Sequence, residues 1–91
     1  IELRYNESLR SASTNLLTAA TVGSAVQSVT DSVGPVTVAL GVQDDARTIT
    51  LTPNADMWSS GTVTIVINRA ALFDVQGNQG SGTDTIIITA P

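Results

Sequence analysis

The strictest constraint in this chain is an alternation. In Thr62-Val63-Thr64-Ile65-Val66-Ile67 an apolar side chain recurs at every second position. Successive side chains of a strand point to opposite faces, so Val63, Ile65 and Ile67 share a face that must be buried. Val66 is the one apolar residue on the other face, which predicts partial cover there. Thr48-Ile49-Thr50-Leu51 carries the same period, with Ile49 and Leu51 on one face. Pro53 ends that strand, because proline cannot donate to a ladder.

Between these strands lies Asn54-Ala55-Asp56-Met57-Trp58-Ser59-Ser60-Gly61. Asn54 or Asp56 is placed to cap a single turn, and Gly61 gives the chain freedom to re-enter a strand. Trp58 is the only tryptophan. An aromatic in such a crossover plugs one end of a sandwich core. Its alternative role is a stacking platform for a sugar. Apolar Met57 beside it, and the absence of a second aromatic nearby in sequence, favour the plug. After the second strand comes Phe73-Asp74-Val75-Gln76-Gly77-Asn78. Gly77-Asn78 favours a tight turn, and Asp74 is placed to accept from its amides.

The rest of the chain is read around this stretch. Ile1, Leu3 and Tyr5 alternate with Glu2, Arg4 and Asn6, so residues 1–6 open as a strand. Ser11 or Ser13 is a candidate cap for a short helical turn over residues 15–20, with Leu16, Leu17 and Ala20 closing an edge of the core. Residues 24–30, with Val22, Val26 and Val29 as the apolar signal, hint at an exposed or bulged strand. Gly34-Pro35 punctuates a turn that begins at Asp31. Residues 35–42 form a strand with Val36, Val38, Leu40 and Val42 inward, and Gly41 marks a bulge or close packing. Residues 43–46 then form a hairpin loop. The last strand covers residues 83–90, with Ile86 and Ile88 on one face and Ile87 on the other. Three isoleucines in a row suit a strand covered on both faces or packed on a partner. The whole predicts one all-β domain over residues 1–91. It is a Greek-key antiparallel sandwich of six or seven strands, with at most one helical turn.

The stretch RTITLTPNADMWSSGTVTIVINRAALFDVQGN resembles the bacterial Ig-like domains of surface adhesins and S-layer-type proteins. Those domains carry a TLTLTP-like strand, an apolar residue before a G-T step, a strand, and a D-x-x-G-N turn. The opening Ile1-Glu2-Leu3-Arg4-Tyr5-Asn6-Glu7-Ser8-Leu9 is similar to their I-x-L-x-F-S-E-x-L strand, with Tyr5 at the aromatic position and Asn6 where Ser is usual. The resemblance implies an immunoglobulin-like fold and an extracellular or cell-surface role as a spacer or adhesion unit. Its partners would be neighbouring Ig-like domains, identical subunits, or a host or matrix glycan or protein. Such domains normally begin with one more strand, which is not seen before Ile1. That leaves the edge beside residues 1–6 open and inviting a strand from another chain. Donor-strand complementation would make such a chain a filament subunit, since head-to-tail contacts need not close. The other reading of the open edge is a piece cut from a tandem array.

Composition narrows the chemistry. The net charge is −4, with four arginines and no lysine, and the arginines form no basic stripe, so nucleic-acid binding is disfavoured. No apolar run approaches a membrane span. There is no cysteine and no histidine, hence no disulfide and few general bases. No serine sits in a G-x-S-x-G elbow. Asp44-Asp45 is the only adjacent carboxylate pair, and a hairpin loop leaves both solvated. The expectation is therefore no enzyme and no cofactor. Calcium is the alternative considered, because loop carboxylates and amides suit it. Asp74 with Asn78, and Asp44 with Asp45, are the candidate ligands, and Asp31 stands in a further loop. No EF-hand spacing is present, and these residue types dominate turns without any metal. Asn6-Glu7-Ser8 matches a glycosylation triplet, read here as chance. The residues expected to matter most are structural: Trp58 as plug, Asp74 and Gly77 at the turn, Ile86 and Ile88 in the closing strand.

Overall fold

A computed structural model describes residues 1–12, 15–55, 58–59 and 61–90. Ser13, Asp56 and Met57, which figured above as candidate caps and as the neighbour of Trp58, lie outside the described residues.

Six strands are formed: β1 (Glu2–Arg4), β2 (Val26–Thr30), β3 (Val38–Gln43), β4 (Thr48–Pro53), β5 (Thr62–Asn68) and β6 (Thr83–Thr89). They pair antiparallel in two sheets, β1-β4-β3 and β2-β5-β6. The β3–β4 and β5–β6 hairpins stay within a sheet, while the other connections cross between sheets. This is an immunoglobulin-like Greek-key sandwich. In its seven-stranded form the sheets run ABED and CFG, and the present strands occupy the places of B to G.

The alternation read from the sequence sets the core. Val63, Ile65 and Ile67 are fully buried, as are Ile49 and, nearly, Leu51. Both central strands, β4 and β5, thus turn an unbroken apolar face inward. Thr48 is the one buried polar side chain among the described residues, and its hydroxyl donates to Asp44 Oδ2 at 3.2 Å. Pro53 is the last residue of β4. Asn54 N donates to Thr37 O, so by alternation the nitrogen of Pro53 faces the β1 side, past the Ile1–Leu51 pair. Its missing N–H therefore costs no ladder bond. Gly41 stands opposite Thr50, and a Cβ there would lie 2.6 Å from Thr50 Oγ1. The β3–β4 register is unbroken, so this glycine serves close packing and not a bulge. The bulge is in β2, between Val26 and Ser28.

Three expectations are corrected. Residues 15–17 hold no helical turn; a hydrogen-bonded turn starts only at Thr18, whose carbonyl accepts from Thr21 N and Val22 N. Arg10 bridges both Leu16 and Phe73, and Leu17 N donates to Leu9 O, so Leu16 and Leu17 are extended. The 3-10 turns lie instead at Val22–Ser24 and Arg69–Ala71. Leu17 is buried as expected, but Leu16 is exposed. The strand predicted over residues 35–42 starts at Val38. Pro35 stands opposite Thr30, Val36 N donates to Val29 O and Asp31 N to Gly34 O, closing the flank between β2 and β3. Ile87 is not covered: its side chain is 65% exposed.

Candidate functional site

The flank between β1 and β6 is built differently from its opposite. β1 is an edge strand of one sheet and β6 an edge strand of the other. Bond parity shows what these edges present. Ile1 and Leu51 exchange main-chain bonds of 2.9 and 3.0 Å, and Tyr5 N donates to Arg47 O at 2.7 Å. Bonded pairs alternate along an antiparallel ladder, so Glu2 and Arg4 turn their N–H and C=O groups outward. In β6, Ala90 N donates to Gly61 O and Arg69 N to Gly82 O. By the same rule the outward row is Thr83, Thr85, Ile87 and Thr89. No hydrogen bond joins β1 to β6 among the described residues. Between them runs a groove of about 400 Å³ floored by Leu3 and Ile86. Their side chains, with Tyr5 and Ile88, pack on the core yet stay only half-buried.

One end of the groove opens into a cleft of about 240 Å³, and Tyr5 and Asp84 line both. Leu9, Leu72 and Phe73 give the cleft an apolar wall, and Glu7, Arg69 and Asp74 stand around it. Its back is closed by main-chain bonds between Arg10 and Phe73 in both directions, at 2.9 and 2.8 Å. Gly80 N donates to Leu72 O at 2.9 Å. A Cβ on Gly80 would come within 2.5 Å of the Arg69 carbonyl oxygen, so only glycine fits there without a shift. Burial, helped by the charge of Asp84, raises the Tyr5 phenol above its ordinary range. Arg69 Nε lies 3.6 Å from Asp84 Oδ1. Glu7, by contrast, makes no hydrogen bond or ion pair within the described residues.

The candidate ligand residues are placed as follows. Asp74 Oδ1 accepts from the N–H groups of Gln76 (2.8 Å) and Asn78 (2.9 Å), and its Oδ2 accepts from Asn78 Nδ2 (3.2 Å). Gly77, at φ +85°, closes the same turn by donating to Asp74 O. Amide donation, from Asn78 foremost, holds the Asp74 carboxyl below its usual range. Asp44 and Asp45 lie in the β3–β4 loop beside a different depression, with Leu16 and Ala19. The structure does not bring the two pairs together, and no group of three carboxylate, His or Cys side chains placed to hold a metal occurs among the described residues.

Trp58 is half-buried and packs on the core cluster, at the end of the sandwich where β4 passes to β5. Tyr5 and Phe73 stand at the other end, beside Arg47 and Asn78.

Sequence reasoning missed three features. Asp31 does more than form its turn. Its Oδ1 accepts from Val33 N and Gly34 N at 2.9 and 3.2 Å, and its Oδ2 from Ser59 N at 3.2 Å, which ties the β2–β3 turn to the β4–β5 crossover. These bonds, with that from Val33 the largest cause, lower its pKa. Asp44, Asp45 and Ala46 all have positive φ, from 54° to 64°. The third is the shared cleft at Tyr5 and Asp84, residues 79 positions apart in sequence that topology alone unites. No protein-family model, curated protein or solved structure matches this chain.

Proposed function

We propose that this chain is a non-catalytic, bacterial Ig-like structural and adhesive module of a secreted or cell-surface protein. The observation that carries the reading is where the best-bonded carboxylates go. Asp31 and Asp74 each hold a loop with three hydrogen bonds and are committed to geometry. A general acid or base needs a carboxyl free to exchange its proton. The sequence offers no histidine, cysteine or lysine instead. A stapled sandwich resists local opening and suits a stiff unit that holds other parts away from a cell. The Thr- and Ser-rich, lysine-free composition supports an extracellular setting. The test is the mass and shape of the protein from its native source, by light scattering and electron microscopy. A small monomer or a single large chain agrees with a module. Long fibres with a repeat near 9.4 kDa contradict it.

The open β1 and β6 edges favour a second reading, a filament subunit joined by donor-strand complementation. Fibres in that same experiment are its expected result.

A further inference from the structure

We propose that the β1/β6 groove and the cleft at its end form one peptide-binding site, which takes an extended strand of another protein bearing a cationic side chain. The inference rests on the adhesive-module reading and names its partner by chemistry.

Three features of the flank lead there. First, β6 is the edge fit for pairing. It is seven residues long, contains no proline or lysine, and turns four N–H and C=O pairs outward. Natural edges are usually blunted by such residues. β1 offers only three residues, and Glu2 and Arg4 pair across its outer face at 3.0 Å. A strand added to β6 makes that sheet four-stranded. Second, the floor waits for side chains of period two. Leu3, Tyr5, Ile86 and Ile88 are half-buried, and alternate apolar residues of an incoming strand would complete their cover.

Third, charge selects the occupant. Arg4 is paired with Glu2, and Arg69 lies by Asp84. Glu7 and Asp74 at the cleft form no ion pair within the described residues, and Arg69, which also lines the cleft, lies by Asp84. The aromatic side chains of Tyr5 and Phe73 line the same cleft, a setting that favours an ammonium or guanidinium group. A second copy docked groove to groove is a poor occupant. Its net charge is −4, and two grooves face to face would set Glu7, Asp74 and Asp84 of one against those of the other.

Orientation follows. Asp84 lies at the start of β6, so the cleft sits at that end of the strand. An incoming strand antiparallel to β6 ends over the cleft, which places its cationic residue at its last inward position.

The test uses the 91-residue chain and three capped nine-residue peptides that alternate threonine and valine. One has lysine at the last inward position, one has glutamate there, and one has lysine at the first. Binding is read by calorimetry, and its place by amide exchange. The lysine-last peptide should bind saturably and slow exchange at Thr85 and Ile87. The glutamate peptide should bind about tenfold more weakly, as like charges meet in place of opposite ones. Glu7→Gln should shrink that difference to about threefold. Equal binding of all three peptides overturns the charge argument. Protection at Glu2 and Arg4 overturns the choice of edge. Slow exchange at Thr85 and Ile87 before any peptide is added means the groove is filled by the chain itself or a second copy, and overturns the proposal. So does no binding by a folded chain, and that result leaves the module reading standing, because only native fibres contradict it.

Discussion

A glycine-to-alanine series tests the packing of the cleft with three substitutions of identical chemistry. At Gly80 the new Cβ would sit 2.5 Å from the Arg69 carbonyl oxygen and 3.2 Å from the Arg69 carbonyl carbon. Favourable contacts between carbons lie at about 3.5–4 Å, so backbone must yield by about 1 Å. Overpacking of that kind costs about 1–3 kcal/mol, and the lost freedom of the unfolded chain returns about 0.4–1. Gly80→Ala should therefore be destabilised by about 1–2 kcal/mol. At Gly41 the obstacle is equally close, 2.6 Å, but it is the Thr50 hydroxyl on a rotatable side chain. Rotation about χ1 relieves it, and Gly41→Ala should fall within about 0.5 kcal/mol of the parent. A Cβ on Gly23 meets nothing within 4 Å, and Gly23→Ala should gain about 0.5 kcal/mol. Urea unfolding gives all three, with a melting shift of about 4–8 °C per kcal/mol in a domain this small. A common value for the three, or a neutral Gly80→Ala, would refute the assignment of a hard backbone contact behind the cleft.

Three further outcomes are expected. Ile65→Ala, at a fully buried site, should lose about 2–5 kcal/mol in urea unfolding, whereas Ile87→Ala on the exposed face of β6 should stay within about 0.5. Asp45→Val should cost about 1–2 kcal/mol despite its exposure, because its φ of 55° suits aspartate and glycine but not a β-branched residue, and a neutral result would dispute the left-handed loop. The Asp31 and Asp74 carboxyls have folded pKa values below their ordinary ones, so their stabilisation is complete above about pH 4 and lost as pH falls through the lowered values. The urea midpoint should drop in acid and drop less in Asp74→Ala, and an acid-insensitive midpoint would count against both turns.

Much of the sandwich was legible because burial on one face imposes a period of two. Residues 62–67 show it with Val66 as the one exception, and β5 spans Thr62–Asn68. The Asp74–Gly77 turn was legible because aspartate and glycine each have a local reason to be there. The rest depends on partners remote in sequence. Residues 15–20 look helical by local spacing, yet Arg10 and Leu9 claim Leu16 and Leu17 for bridges, and the turn starts only at Thr18. Asp31 is chosen by the turn beside it and also by Ser59, 28 residues away. The left-handed run at Asp44, Asp45 and Ala46 has a signal in its two aspartates, but Ala46 gives none. It is held there by burial and by Leu9 N, which donates to its carbonyl at 2.8 Å. The open edge beside residues 1–6 was anticipated. That β6 forms the other wall follows only from the strand order.

The central claim is that β1 and β6 face each other as unpaired edges. Residue-resolved amide exchange on the isolated chain tests it most directly. The account predicts alternation along β6, with Ile86 and Ile88 slow and Thr85 and Ile87 fast, and along β1, with Leu3 slow and Glu2 and Arg4 fast. Uniform protection along both strands would contradict it, because it would mean the flank is already paired.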